Sequence, residues 1–114
     1  GFVQQHELCT QLTDKGMPAI VVDSADIRRN PEASLRALCA AIDLPFDPAM
    51  LSWPAGPHPD DGIWAAHWYG AVHKSSGFAG EEGPLPDVPD ELQHLVDGAM
   101  PHYLSMRERL LAIT

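Results

Sequence analysis

Apolar positions recur at near-helical spacing from Phe2 through Leu8, Cys9 and Leu12 to about Asp14. Lys15-Gly16 then supplies a residue that tolerates positive φ, so the spacing predicts a first helix that stops there. After Pro18 the run Ala19-Ile20-Val21-Val22-Asp23 is short, β-branched and bounded by turn formers. That pattern predicts a strand buried on both faces, as in parallel sheets. A lone strand cannot satisfy its own ladder, so it is expected to pair with missing upstream sequence or with a second copy of the chain.

Asn30-Pro31-Glu32 is a strong helix opening: Asn accepts from orphan amides, Pro is preset for the first position and Glu complements the dipole. Leu35, Leu38, Cys39 and Ile42 follow at i, i+3, i+4 and i+7, which predicts one apolar stripe ending before Pro45. Full burial of Leu35 or Leu38 would contribute roughly 1.5–3 kcal/mol each. Asp47-Pro48 repeats the cap-then-proline signal for a short turn. The segment Trp53–Gly62 then holds three prolines and two glycines and is expected to be irregular.

Trp64, Trp68 and Val72 lie four apart and predict a third helix, flanked by Ala65 and Tyr69. Glycines, prolines and acids from Gly77 to Pro89 suggest a mobile loop or lid. Leu92, Leu95, Val96, Ala99, Tyr103, Met106, Leu110 and Ile113 predict a long C-terminal helix that Pro101 should kink or split. The expected architecture is a helix-rich α/β domain with about four helices and one short buried strand. Residues 1–114 are read as a single domain or domain fragment, with flexible loops near 53–62 and 77–89.

Sixteen acidic against seven basic residues give a formal charge of −9, which makes nucleic acid and anionic membrane poor partners. The longest apolar run falls far short of the roughly 20 residues needed to cross a bilayer. No basic start, apolar segment and small-residue cleavage site open the chain, so it reads as cytoplasmic. Cys9 and Cys39 sit inside helical patterns and read as reduced core thiols. The chain opens Gly-Phe-Val-Gln without methionine, and two readings stand: a fragment, or an expression-tag remnant at Gly1.

The six histidines, His6, His58, His67, His73, His94 and His102, show neither HExxH nor an i, i+4 pair on one helix face, and no metal site is assigned. No serine occupies a nucleophile elbow. The pairs Asp60-Asp61 and Glu81-Glu82 are adjacent and read as solvated loop charge. The stretch 64–78 differs, because it gathers aromatics, imidazoles, one lysine and hydroxyls. Lys74, Ser75, Ser76 and the Gly77 amide could accept a phosphate or sulfate. They could equally be the polar stop of a helix packed by Trp64 and Trp68. Trp53, Trp64, Trp68 and Tyr69 form a candidate contact surface.

The order Pro18–Asp23, Asp26-Ile27, Asn30-Pro31 and Leu35-Arg36-Ala37-Leu38-Cys39 resembles the strand-then-helix unit late in P-loop sulfotransferase-like proteins. The likeness continues through Leu44-Pro45-Phe46, Asp47–Pro57, Asp61–Ala65, His67-Trp68-Tyr69 and Ser76-Gly77-Phe78, most of the chain. The resemblance implies a parallel-sheet fold and sulfuryl transfer from 3′-phosphoadenosine 5′-phosphosulfate to a hydroxyl or amine, with no metal. The donor phosphate of such proteins sits on a glycine-rich loop. No GxxxxGK[ST] occurs here, so no catalytic residue is assigned and the chain alone is not expected to turn over. Lys74 to Phe78 is the candidate for the late loop that closes over the nucleotide. The competing reading is a non-enzymatic helical binding or self-association module.

Overall fold

The computed structural model describes residues 1–17 and 19–113; the turn expected at Pro18 lies outside them. Among the described residues the order is α1 (Phe2–Asp14), α2 (Ser24–Arg29), α3 (Pro31–Ala41), α4 (Ala65–Trp68), α5 (Gly70–His73) and α6 (Gln93–Arg107). Short 3-10 turns cover Pro48–Leu51 and Asp90–Leu92. The chain divides into two compact units, Gly1–Ser24 with Glu82–Thr114, and Ala25–Glu81.

The α/β expectation is corrected by this arrangement. No strand occurs among the described residues, and the segment after residue 18 makes one isolated parallel bridge, Val21 to Leu110. The Leu111 amide donates to the Val21 carbonyl at 2.9 Å. A strand needs successive bridges, but its partner here is the backbone just after the last turn of α6, which meets the segment at one residue. Nor is the run buried on both faces, since Ile20 and Val22 are exposed. β-branched composition predicted an extended backbone; it could not supply a neighbour.

The first unit is a helix pair. The α1 boundaries follow the sequence pattern, and Gly16 takes φ +72° just past the Lys15 cap, a conformation that favours glycine. The Phe2 ring meets Tyr103 edge-on with centroids 5.9 Å apart, Met106 is buried, and Arg109 donates to the Thr13 hydroxyl at 3.1 Å. Helix α6 runs through Pro101 without splitting, and its first turn is preceded by the 3-10 turn at Asp90–Leu92. Beside the pair lies a cleft of about 310 Å³ that holds a polar chain. There the Tyr103 hydroxyl donates to Asp23 Oδ2 at 2.7 Å, and Arg107 donates to the Tyr103 oxygen at 3.1 Å.

In the second unit Asn30 caps α3 as its sequence requires, its Oδ1 accepting from the Ala33 amide at 3.2 Å with Pro31 in the first turn. Ser34 and Cys39 are buried, and the Ser34 hydroxyl donates to the Asp26 carbonyl at 3.1 Å, tying α3 to α2. Leu35 and Leu38 are only half-buried and Ile42 is exposed, so the expected apolar stripe does not close over. The single helix expected across Trp64 to Val72 is two single turns, α4 and α5, that meet at Tyr69. Gly70 at the junction explains the break, because glycine has a low helix propensity and adds no side chain to hold the turn.

Candidate functional site

The proline-rich segment after residue 52 has no regular structure, yet the segment Val72–Phe78 holds it at many points. Ser52 and Gly77 form an antiparallel bridge, the Trp53 amide donates to the Ser76 carbonyl at 3.1 Å, and the Gly56 amide donates to the His73 carbonyl at 2.8 Å. Glycine at position 77 eases this approach, since a Cβ there would stand 3.2 Å from the Leu51 carbonyl oxygen. The Trp53 indole donates to Ser75 Oγ at 3.0 Å, and its ring lies edge-on to Phe78 with centroids 5.6 Å apart.

A hydrogen bond to a carboxylate closes the far end of this strap, residues 53–61, against the segment 72–78, and the two together form a clasp. Asp61 Oδ2 accepts from the His58 amide at 2.8 Å and from His73 Nε2 at the same distance. The His58 amide, above all, and then the His73 side chain hold the Asp61 carboxyl below its ordinary value. An ionised carboxylate only accepts, so the His73 proton is placed on Nε2. Tyr69 packs edge-on against the His73 ring at 6.0 Å between centroids, which leaves the imidazole held at its edge, its face and its own main chain.

Accessibility along the clasped segment alternates. His73, Ser75 and Gly77 are half-buried against the strap, whereas Lys74, Ser76 and Phe78 are exposed. The three residues expected to contact an anion are therefore split between two sides. Ser75 faces the strap, its hydroxyl donating to the Val72 carbonyl at 2.7 Å while it accepts from Trp53. Lys74 and the Ser76 hydroxyl are exposed and make no bond among the described residues. The aromatic surface is divided in the same way: Trp53 is drawn into the clasp, while Trp64 and Trp68 are about 70% exposed. Tyr69 is exposed too, though its ring is used on His73.

Two features of the site were missed in the sequence. Asp61, read as solvated charge, is the acceptor that closes the strap; Asp60 beside it stays in solvent, with only His58 near it at 3.6 Å. The spacing of 12 residues between Asp61 and His73 carries no helical or strand period that would have paired them. The residues expected to form a mobile lid are also partly tied, because Arg28 donates to the Gly80 carbonyl at 2.9 Å and Arg29 pairs with Glu81 at 3.2 Å.

The helix pair of the first unit holds a third polar cluster that the sequence did not suggest. His6 Nδ1 lies 2.9 Å from His102 Nδ1, and Ser105 Oγ lies 3.0 Å from His6 Nε2. Neutral imidazoles satisfy all three atoms in either of two proton arrangements, with the proton between the rings on one or the other. Residues separated by nearly the whole chain meet here, which no local pattern encodes.

Comparison with known proteins places these elements. The chain is 38% identical over 107 residues to branched-chain-amino-acid aminotransferase-like protein 2 of Arabidopsis thaliana, covering 94% of this chain and 19% of that protein. It is 37% identical over 110 residues to branched-chain-amino-acid aminotransferase-like protein 1 of the same plant, covering 96% of this chain and 20% of that protein. The chain thus spans about a fifth of the length of the curated relatives it matches. No solved structure matches it. Residues 3–110, which take in both helix units and the whole clasp, match the family described as sulfotransferase domain, and the chain belongs to that family.

Proposed function

We propose that this domain serves sulfuryl transfer from 3′-phosphoadenosine 5′-phosphosulfate to a hydroxyl or amine, with Lys74 and Ser76 meeting the donor's phosphate or sulfate oxygens. The family match over residues 3–110 supports the reaction class. The observation that carries the site is the outward face of the clasp, where a cation and a hydroxyl lie two residues apart on the exposed side of a fixed backbone. An ammonium and a hydroxyl suit a tetrahedral oxyanion, the first as charge and the second as a short donor. They make only one edge of a nucleotide site. The glycine-rich loop that would cradle the remaining phosphates has no counterpart in this sequence, so turnover requires that loop from outside these residues.

Titration with 3′-phosphoadenosine 5′-phosphate, followed by amide chemical shifts, tests the reading. Millimolar binding is expected to move the amides of Lys74 to Gly77, and Lys74→Ala should weaken it by several-fold. Saturation with no movement in that segment sinks the donor-contact assignment.

A second reading rests on Ile63, Trp64 and Trp68, which are all largely exposed on and beside α4. Exposed aromatics at this density favour self-association or docking of a partner. Sedimentation equilibrium should then return a concentration-dependent mass that Trp64→Ser with Trp68→Ser abolishes; a monomer at high concentration removes the self-association form of it.

A further inference from the structure

We infer that Asp61 and His73 are positioning residues: their bond fixes the strap against the segment 73–77 and so presents Lys74 and Ser76 together to one anionic group. The inference rests on the donor-contact reading above and adds to it the residues that make the contact geometrically possible. Neither Asp61 nor His73 is placed on the ligand side. Both are half-buried and bonded to each other, whereas Lys74 and Ser76 are exposed.

The physical case begins with what an exposed Lys-Ser-Ser stretch would do unaided. A lysine following a single turn of helix has four rotatable side-chain bonds and a mobile backbone, and ordering both on binding consumes much of the gain from one ammonium contact. In this chain the backbone part of that cost is met in advance. The main chain is pinned at His73, Ser76 and Gly77, and the Ser75 hydroxyl is pinned from both sides. Those bonds fix the segment only if the strap is itself fixed, and residues 54–60, with their prolines, have no element of their own. Asp61 supplies the anchor: one oxygen gathers the His58 amide and the His73 imidazole, so the strap's end is bound to the residue adjoining Lys74.

The other groups facing this bond leave it intact. His58 and Asp60 lie on the same turn and pair weakly with each other, Tyr69 packs on the imidazole, and Lys74 is exposed and makes no bond among the described residues. Replacing the carboxylate removes the acceptor for two donors at once, which should release the strap while leaving Lys74 and Ser76 chemically unchanged.

The test compares 3′-phosphoadenosine 5′-phosphate with adenosine, a probe that carries no phosphate, by amide-shift titration of the full chain. His73→Ala is expected to weaken the phosphorylated probe 3- to 10-fold and adenosine less than twofold, and His73→Gln, which keeps an N–H donor, should restore affinity to within threefold of the parent. Asp61→Ala, which removes the acceptor oxygen altogether, gives the same selective loss and serves if His73→Ala does not fold. A parent that binds and depends on Lys74, with binding unchanged in both His73→Ala and Asp61→Ala, overturns the positioning role and leaves the donor contact standing. An equal loss for both probes also overturns it, since that is the mark of general destabilisation. No dependence on Lys74 in the parent overturns the donor contact first, and the positioning role with it.

Discussion

In the α1–α6 pair two imidazoles face each other, His6 Nδ1 on His102 Nδ1 at 2.9 Å, whereas in the clasp an imidazole faces a carboxylate, His73 Nε2 on Asp61 Oδ2 at 2.8 Å. The distances are nearly equal, and the consequences differ. Between the imidazoles one proton serves two rings, so the bond tolerates either ring as donor and fixes no charge. Between imidazole and carboxylate the donor is assigned, the acceptor is charged and a backbone amide shares it. The first arrangement joins two helices that already pair along their length. The second ties a loop with no other framework, which is where a directed, charge-assisted bond changes most.

What surrounds the bonds differs as well. Around His6 and His102 the helix pair has its own hydrogen-bond ladder and an apolar contact at Met106, so side-chain loss should act through packing. The largest effect is therefore expected at Met106→Ala, which removes the one buried apolar side chain among the described residues of the first unit. A cost of about 2–3 kcal/mol is expected from transfer and cavity terms. Urea unfolding should show it, with hydrogen exchange rising in α1 and α6 before the residues of the clasp. Next comes Ser34→Val in the second unit, where the hydroxyl is buried and donates to Asp26. The Asp26 carbonyl keeps the Asn30 amide as donor, so the change should cost only about 1–2 kcal/mol through crowding and one lost bond.

A double-mutant cycle then isolates the imidazole pair. His6→Ala and His102→Ala each remove the bond, and a coupling of about 1 kcal/mol is the value expected for a part-buried neutral hydrogen bond. A coupling near zero would mean that the rings meet without stabilising the pair, and that its other contacts, Phe2 on Tyr103, the buried Met106 and the bonds of Ser105 to His6 and Arg109 to Thr13, hold it.

Local signals in the sequence were legible where the chain itself completes them. Gly16 after Lys15, and Asn30 before Pro31, give α1 and α3 boundaries that the structure repeats. Asp47 likewise caps the 3-10 turn, its carboxylate accepting from the Ala49 amide at 2.8 Å. Features that need a distant partner were not legible. Val21 and its neighbours have strand composition, but a strand is a property of pairs of segments, and here the pairing amounts to one bridge. Leu35 and Leu38 have helical spacing, but burial depends on what covers the stripe. Half-buried as they are, each contributes well under the roughly 1.5–3 kcal/mol of a fully buried leucine. Candidate-site residues followed the same rule: composition singled out Lys74, Ser75 and Ser76, while the strap decides which of them faces outward.

The smallest expected effect concerns the charge in the clasp, and it separates the two histidine contacts by pH. Asp61 is held below its ordinary value of 3.8, chiefly by the His58 amide and next by the His73 side chain. A carboxyl depressed on folding contributes stability that is fully present above its unfolded value, and that contribution is lost as pH falls through the lower folded value. The loss should therefore fall below about pH 4. It should be local and modest, because solvent reaches the pair and screens it. Hydrogen exchange of the Gly56, Asp61 and Ser75 amides, compared between pH 5 and pH 3, should show opening of the strap in the parent chain. In Asp61→Ala, where neither a carboxylate nor an acceptor oxygen remains at that position, the same amides should be open at both pH values. An acid-induced opening of equal size in the variant would trace the change to other carboxylates and leave the His58 amide and His73 without a role in setting the pH response of the strap.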